Sequence, residues 1–233
     1  MKQTEARAQF FLAARHMLPL TIAVLPIALV FGAVAVTKGL SPLEVTLMSA
    51  IVFAGGSQFV AMDIWSHPAS AVSLGLAALL VNIRHVLMGT SILPRMSGFC
   101  RTQRVASLLL LADEVWAMAE VRAREEKLTP AWFAGLALPF YLTWVIGGLA
   151  GATLGRLIGD PALIGLDFAF TAVFIVLLTA FWNGRSTGLV LLASAMAALA
   201  THRLLPGVWY IAAGAAGGIL AALALEARTG AAR

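Results

Sequence analysis

A single cysteine, Cys100, stands in a chain of 233 residues, so an intramolecular disulfide is excluded. No group of His and Cys residues has metal-ligand spacing, which argues against a structural zinc or redox site and predicts neither metal nor cofactor. The chain also lacks a His-Glu-x-x-His zinc helix, a Gly-Lys-Ser/Thr phosphate loop and a Gly-x-Ser-x-Gly elbow, and an enzyme is not expected. Charge is scarce as well. Only 12% of residues are Asp, Glu, Lys or Arg, against about 25% in a soluble globular domain. The gaps between apolar runs are too short to hold a second domain.

What is there is apolar: 61% of residues are hydrophobic and the mean hydropathy is +0.91. A soluble fold has no interior large enough to hide that surface, so the composition predicts a protein solvated by lipid. The net charge of +5 does not point to nucleic acid, because Lys and Arg fall mostly in short gaps between apolar runs, where membrane orientation explains them. The runs extend over approximately 18–36, 45–65, 69–93, 105–121, 131–157, 164–182, 188–205 and 209–225. A membrane helix takes about 20 residues, and lipid-embedded backbone must satisfy its own hydrogen bonds. The expected fold is therefore all-α: a polytopic transmembrane bundle of six to eight segments, forming one transmembrane domain over residues 1–233 in the cell membrane. The first run follows an amphipathic stretch with Arg7 and Arg15, is too long for a signal peptide and is expected to be retained.

Several segments carry interruptions. Ala54-Gly55-Gly56-Ser57-Gln58 sets two glycines and two polar side chains in the second segment, and a continuous helix is weakest there. Pro19 and Pro26 weaken the first helix and Pro139 the fifth. A faint repeat relates the stretch from Ser73 to Pro94 to that from Ser186 to Pro206, and Gly39 to Pro42 to Gly159 to Pro161. Such symmetry suggests inverted repeats with broken or re-entrant segments two and six and a binding site between them. With both re-entrant, segment one runs outward and segment five inward, and Lys and Arg are slightly better sorted to the inside than if all eight span.

The third segment holds Asn82, Arg84 and His85 within an apolar run. Ionisable groups at membrane depth cost about 2.5–3.5 kcal/mol on insertion scales and persist where they face protein or water. Asn82 and His85 share a helix face, and Arg84 projects elsewhere. His85 has the chemistry of a proton carrier near neutral pH and Asn82 that of a substrate contact; both are equally suited to cross-helix hydrogen bonding for stability. Arg84 cannot shed its charge and needs an acceptor, for which Asp113, Glu114 and Asp167 are the candidates. Asp113 and Glu114 lie mid-segment, whereas Asp167 also suits a helix N-terminus. The break at Gly55, Gly56, Ser57 and Gln58 offers backbone groups to a zwitterion, or small residues for close packing. Trp116, Trp144 and Trp182 read as interface or packing residues. Ser57 with His85 also permits a hydrolase dyad, and a channel-like or scaffold subunit is a further alternative.

The blocks Phe53-Ala-Gly-Gly-Ser-Gln58 and Asn82-Ile-Arg-His85, with Leu87-Met88-Gly89, Asp113-Glu114 and Leu166-Asp167-Phe168, resemble the AzlC family of branched-chain amino acid permeases over nearly the whole chain. The resemblance implies the large subunit of a two-component exporter of leucine, isoleucine, valine and sometimes methionine. It also implies a small hydrophobic AzlD-type partner, use of the proton gradient and an inner-membrane location.

Overall fold

The computed structural model describes residues 2–155 and 184–230, with Phe168, Ile175, Leu178, Thr179 and Trp182 between them. The described residues form helices throughout, and their contacts divide the chain into two compact units, residues 1–62 with 82–170 and residues 63–81 with 171–233. Among the described residues, five helices are long and apolar enough to cross a membrane. Apart from those five residues, the sixth segment of the sequence reading, with Asp167, lies outside the described residues, as does the Gly159 to Pro161 stretch.

In the first unit, α1 (Lys2–Thr37) and α7 (Pro130–Gly155) are long helices that continue through Pro19, Pro26 and Pro139. Neighbouring helices and local backbone adjustment absorb a proline at membrane depth, so the expected weak points bend no element into two. Glycine decides how closely the pair packs. A Cβ on Gly32 falls 2.0 Å from the Gly148 carbonyl oxygen, and one on Gly151 falls 2.0 Å from that of Leu29. Small residues allow this backbone approach, which replaces the hydrophobic drive that lipid removes.

The contacts also fix direction. Gly135 meets Phe10, Gly147 meets Ala28 and Gly155 meets Ala33, so the two helices ascend together. The expected inversion, in which segment five opposes segment one, is overturned.

The reason lies in two helical hairpins that dip into the unit and return. The first is α2 (Pro42–Ile51), three non-helical residues Val52 to Ala54, and α3 (Gly55–Asp63). From the Thr37 end, α2 descends along α7: Ser49 lies beside Gly148, and the Ala50 carbonyl accepts from the Tyr141 hydroxyl at 3.0 Å. The chain then turns, and α3 climbs back until Phe59 meets Phe31 edge-on at 5.7 Å. The second segment is thus re-entrant, as its glycines suggested.

The second hairpin is α5 (Arg101–Leu109), residues Leu110 to Ala112, and α6 (Asp113–Glu125). It follows α4 (Ala71–Ile92) and the short 3-10 turn Leu93–Arg95. Rising from the Lys2 end, α5 passes Met96, whose carbonyl accepts from Arg104 at 3.2 Å, and then Gly89, which faces Leu108. Returning, α6 passes Arg84, then Ser91, then Arg95, through Asp113, Trp116 and Glu120 respectively. The fourth segment, read as a continuous span, is therefore a second re-entrant hairpin. With it, α7 begins at the end of the unit where α1 begins, which explains their parallel course.

Each hairpin starts at a capping box. At Ser41 the hydroxyl accepts from the Glu44 N–H at 3.2 Å, and the Glu44 carboxylate accepts from the Ser41 N–H at 2.7 Å; the two Ser41 groups hold that carboxyl below the usual range. At Cys100 the backbone N–H donates to the neutral Gln103 amide at 2.9 Å.

In the second unit, α8 (Arg185–Leu204) and α9 (Trp209–Gly230) form an antiparallel pair. Gly214 lies against Ala198 and Gly218 against Ser194, and the turn between the helices uses Gly207 at φ +92. Leu192, Leu199, Leu220 and Leu223 point outward, which suits an acyl-chain solvent. The two stretches of the faint repeat fall on α4, with 22 residues, and α8, with 20.

Candidate functional site

The tips of both hairpins reach the same stretch of α4, from Asn82 to His85. At the first tip, the Asn82 amide donates to the Ser57 hydroxyl at 3.2 Å, so α4 touches the opening turn of α3. At the second, the Arg84 guanidinium donates to the Asp113 carboxylate at 2.6 Å, and Asp113 is the first residue of α6. Glu114 follows it in that turn, half-buried. His85 sits between these contacts with its Nδ1 3.3 Å from the Asn82 carbonyl of its own helix. The structure thus brings together Ser57, Asn82, Arg84, His85, Asp113 and Glu114, and it selects Asp113 as the acceptor for Arg84. Among the described residues Ser57 and His85 share no hydrogen bond. Ser57 accepts from the Asn82 amide, and His85 lies against the Asn82 carbonyl.

The residues at the glycine break divide into two roles. Gln58 is fully buried; it donates to Ser49 at 3.3 Å and accepts from the Trp144 indole at 2.8 Å. Ser49 comes from the descending helix and Gln58 from the ascending one, so this amide closes the hairpin and fastens it to α7. Both of its polar groups have protein partners, Ser49 and Trp144. Gly55 serves the same fastening, since a Cβ there lies 2.7 Å from the Trp144 ring. Gly56 and Ser57 complete the first turn of α3.

Trp144, read from the sequence as an interface or packing residue, packs and also anchors this hydrogen-bond network. It stacks on Phe31 at 5.9 Å and is buried. Trp116 donates to Ser91 at 2.7 Å, while Trp182 is exposed.

Two buried polar atoms at the site have no hydrogen-bond partner, the Asn82 Oδ1 and the Arg84 Nε. Buried groups of this kind cost about 1–3 kcal/mol each, and here they leave one acceptor and one charge-bearing donor for a ligand. The helix openings at α3 and α6 add a positive dipole end each. Broken helices that aim such ends at the middle of a bundle are a known way to bind small anionic groups and ions in transporters.

The family profile described as AzlC protein matches residues 19–158, a span that holds both hairpins and α4. The chain belongs to the AzlC family. It is similar to the inner membrane protein YgaZ of Escherichia coli, 35% identical over 225 residues that cover 93% of this chain and 90% of that one. An Archaeoglobus fulgidus membrane protein is 32% identical, covering 94% and 97%. The branched-chain amino acid transport protein AzlC of Bacillus subtilis is 29% identical over 187 residues, covering 76% and 70%. No solved structure matches the chain. This AzlC-family chain is accordingly a multi-pass membrane protein related to branched-chain amino acid transport.

Proposed function

We propose that the chain is a secondary transporter, one permease domain over residues 1–233, that exports branched-chain or related neutral amino acids by proton antiport. One observation carries the reading: two re-entrant hairpins, entering from opposite ends, meet a polar turn of α4 that holds the pair Arg84–Asp113. A site reached by a hairpin from each side is suited to alternate exposure. Cargo is held at the opening turn of α3, with Gly56 and Ser57, and at Asn82. Arg84 sets the local charge, and His85, Asp113 and Glu114 are the proton carriers.

Charge orients the first unit in the membrane. Lys2, Arg7, Arg15, Arg95, Arg101, Arg104, Arg122, Arg124 and Lys127 gather at the Lys2 end of the first unit, while Lys38 stands at the other. That bias assigns the Lys2 end to the cytoplasm and makes α5 and α6 the cytoplasmic hairpin. The fourth segment's return is what gathers these cations, since a crossing would have put Arg122, Arg124 and Lys127 on the far side.

Proteoliposome counterflow of labelled leucine, with and without a small AzlD-type subunit, tests the reading. A carrier shows counterflow that responds to an imposed pH gradient, and His85→Ala and Asp113→Asn each lower it. Downhill flux without counterflow assigns a channel instead. Wild-type pH dependence in both variants removes the proton carriers from these residues.

A further inference from the structure

The two hairpins are not held alike, and the difference assigns one of them a moving part. The tip of α2 and α3 is fastened from several sides: Gln58 to Ser49 and Trp144, the Ala50 carbonyl to Tyr141, and Phe53 against Tyr141 at 5.0 Å. The tip of α5 and α6 has a buried apolar side, with Leu111 and Val115 hardly exposed, and a polar side on which Arg84 pairs with Asp113 and His85 hydrogen-bonds the Leu111 backbone. The Arg84 and Asp113 side chains are both 42% exposed, so the pair is not sealed within the protein. Arg84 Nε is the remaining buried donor beside it. Guanidinium forks bind one carboxylate as readily as another.

We propose that the Arg84–Asp113 pair is a latch on the cytoplasmic hairpin, and that a cargo carboxylate opens it by taking Arg84 from Asp113. The ligand class is a small organic carboxylate, and the step exchanges one ion pair for another with no covalent change. Four ionisable groups face one another here: Arg84 and His85 from α4, Asp113 and Glu114 from α6. Arg84 is the permanent cation among them, so two carboxylates cannot both be neutralised by it. Cargo at Arg84 leaves Asp113 exposed at the tip, which then keeps its apolar side, Leu111 and Val115, and the neutral hydrogen bonds of His85 to the Leu111 backbone and of Trp116 to Ser91, but has lost its charged contact. The inference rests on the transporter reading for its cargo, but the latch itself does not require it.

The test uses the full chain in proteoliposomes, in a Cys100→Ser background with Leu110→Cys at the hairpin tip, and reads the rate of reaction with a membrane-impermeant maleimide. Leucine and 4-methylpentanoate, which share the carboxylate, are expected to speed labelling about two- to fivefold, the factor that an exposed ion pair controls. Leucinol, which lacks it, is expected to leave the rate unchanged. Asp113→Asn is expected to label at the faster rate with nothing added, and Asp113→Glu to restore the slow one. Equal acceleration by leucinol, or slow labelling of Asp113→Asn, overturns the latch. Leucine counterflow with labelling insensitive to leucine also overturns it and spares the transporter reading. Acceleration by 4-methylpentanoate and by Asp113→Asn without any counterflow upholds the latch and sinks that reading.

Discussion

The hairpin α2–α3 and the hairpin α5–α6 do the same geometric job with opposite chemistry. One tip is closed by a neutral, buried amide network anchored on Trp144; at the other the charged contact is a half-exposed ion pair. Neutral hydrogen bonds in a dry interior are costly to leave unmade, whereas a half-exposed ion pair contributes little to stability and exchanges partners readily. The first arrangement builds a fixed wall and the second a part that can move, and substitutions should separate the two.

The largest effect is expected from Trp144→Ala. It removes the stacking on Phe31, the partner of Gln58 and the ring against which Gly55 packs, and should cost about 3–5 kcal/mol, read as thermal unfolding in detergent. Gln58→Ala leaves the ring in place but strands the Trp144 N–H, and about 1–3 kcal/mol is expected from the same measurement. Asp113→Asn should change stability by only about 1 kcal/mol, the scale of a half-exposed pair plus a first-turn carboxylate, while abolishing gradient-driven leucine flux. If Asp113→Asn instead unfolds the protein more readily than Gln58→Ala, the contrast between wall and moving part is reversed.

The smallest effect concerns the two capping boxes. Because Ser41 lowers the Glu44 pKa in the folded state, that contribution is present above the ordinary carboxylate pKa and is lost as pH falls through the lowered one. The stability difference between wild type and Glu44→Gln should therefore shrink toward acid. Gln103 caps α5 with a neutral amide, so its removal should cost the same at every pH. Hydrogen exchange at the two helix starts across a pH series measures both.

Much of this arrangement was legible in the residues. The polar turn from Asn82 to His85, the need of Arg84 for a carboxylate and the weak point near Gly55 all stand where the sequence places them. The break itself falls at Val52 to Ala54, just ahead of the glycines, because Gly55 opens the next helix and makes room for the Trp144 ring. The break at Leu110 to Ala112 has no glycine or proline to announce it. Its one signal is that Asp113 and Glu114 sit amid an apolar run, where acidic residues suit the first turn of a new helix.

Composition alone made this a membrane protein, because so apolar a chain has no aqueous fold, and the positions of the few polar groups marked where a site had to be. Which carboxylate Arg84 holds, which protein partners Gln58 takes, and whether α7 runs with α1 or against it were decided by packing. Each depends on contacts between residues far apart in the chain, such as Gln58 with Trp144 and Gly151 with Leu29. Local periodicity in a lipid-solvated sequence is uniform enough that spanning and returning helices read alike.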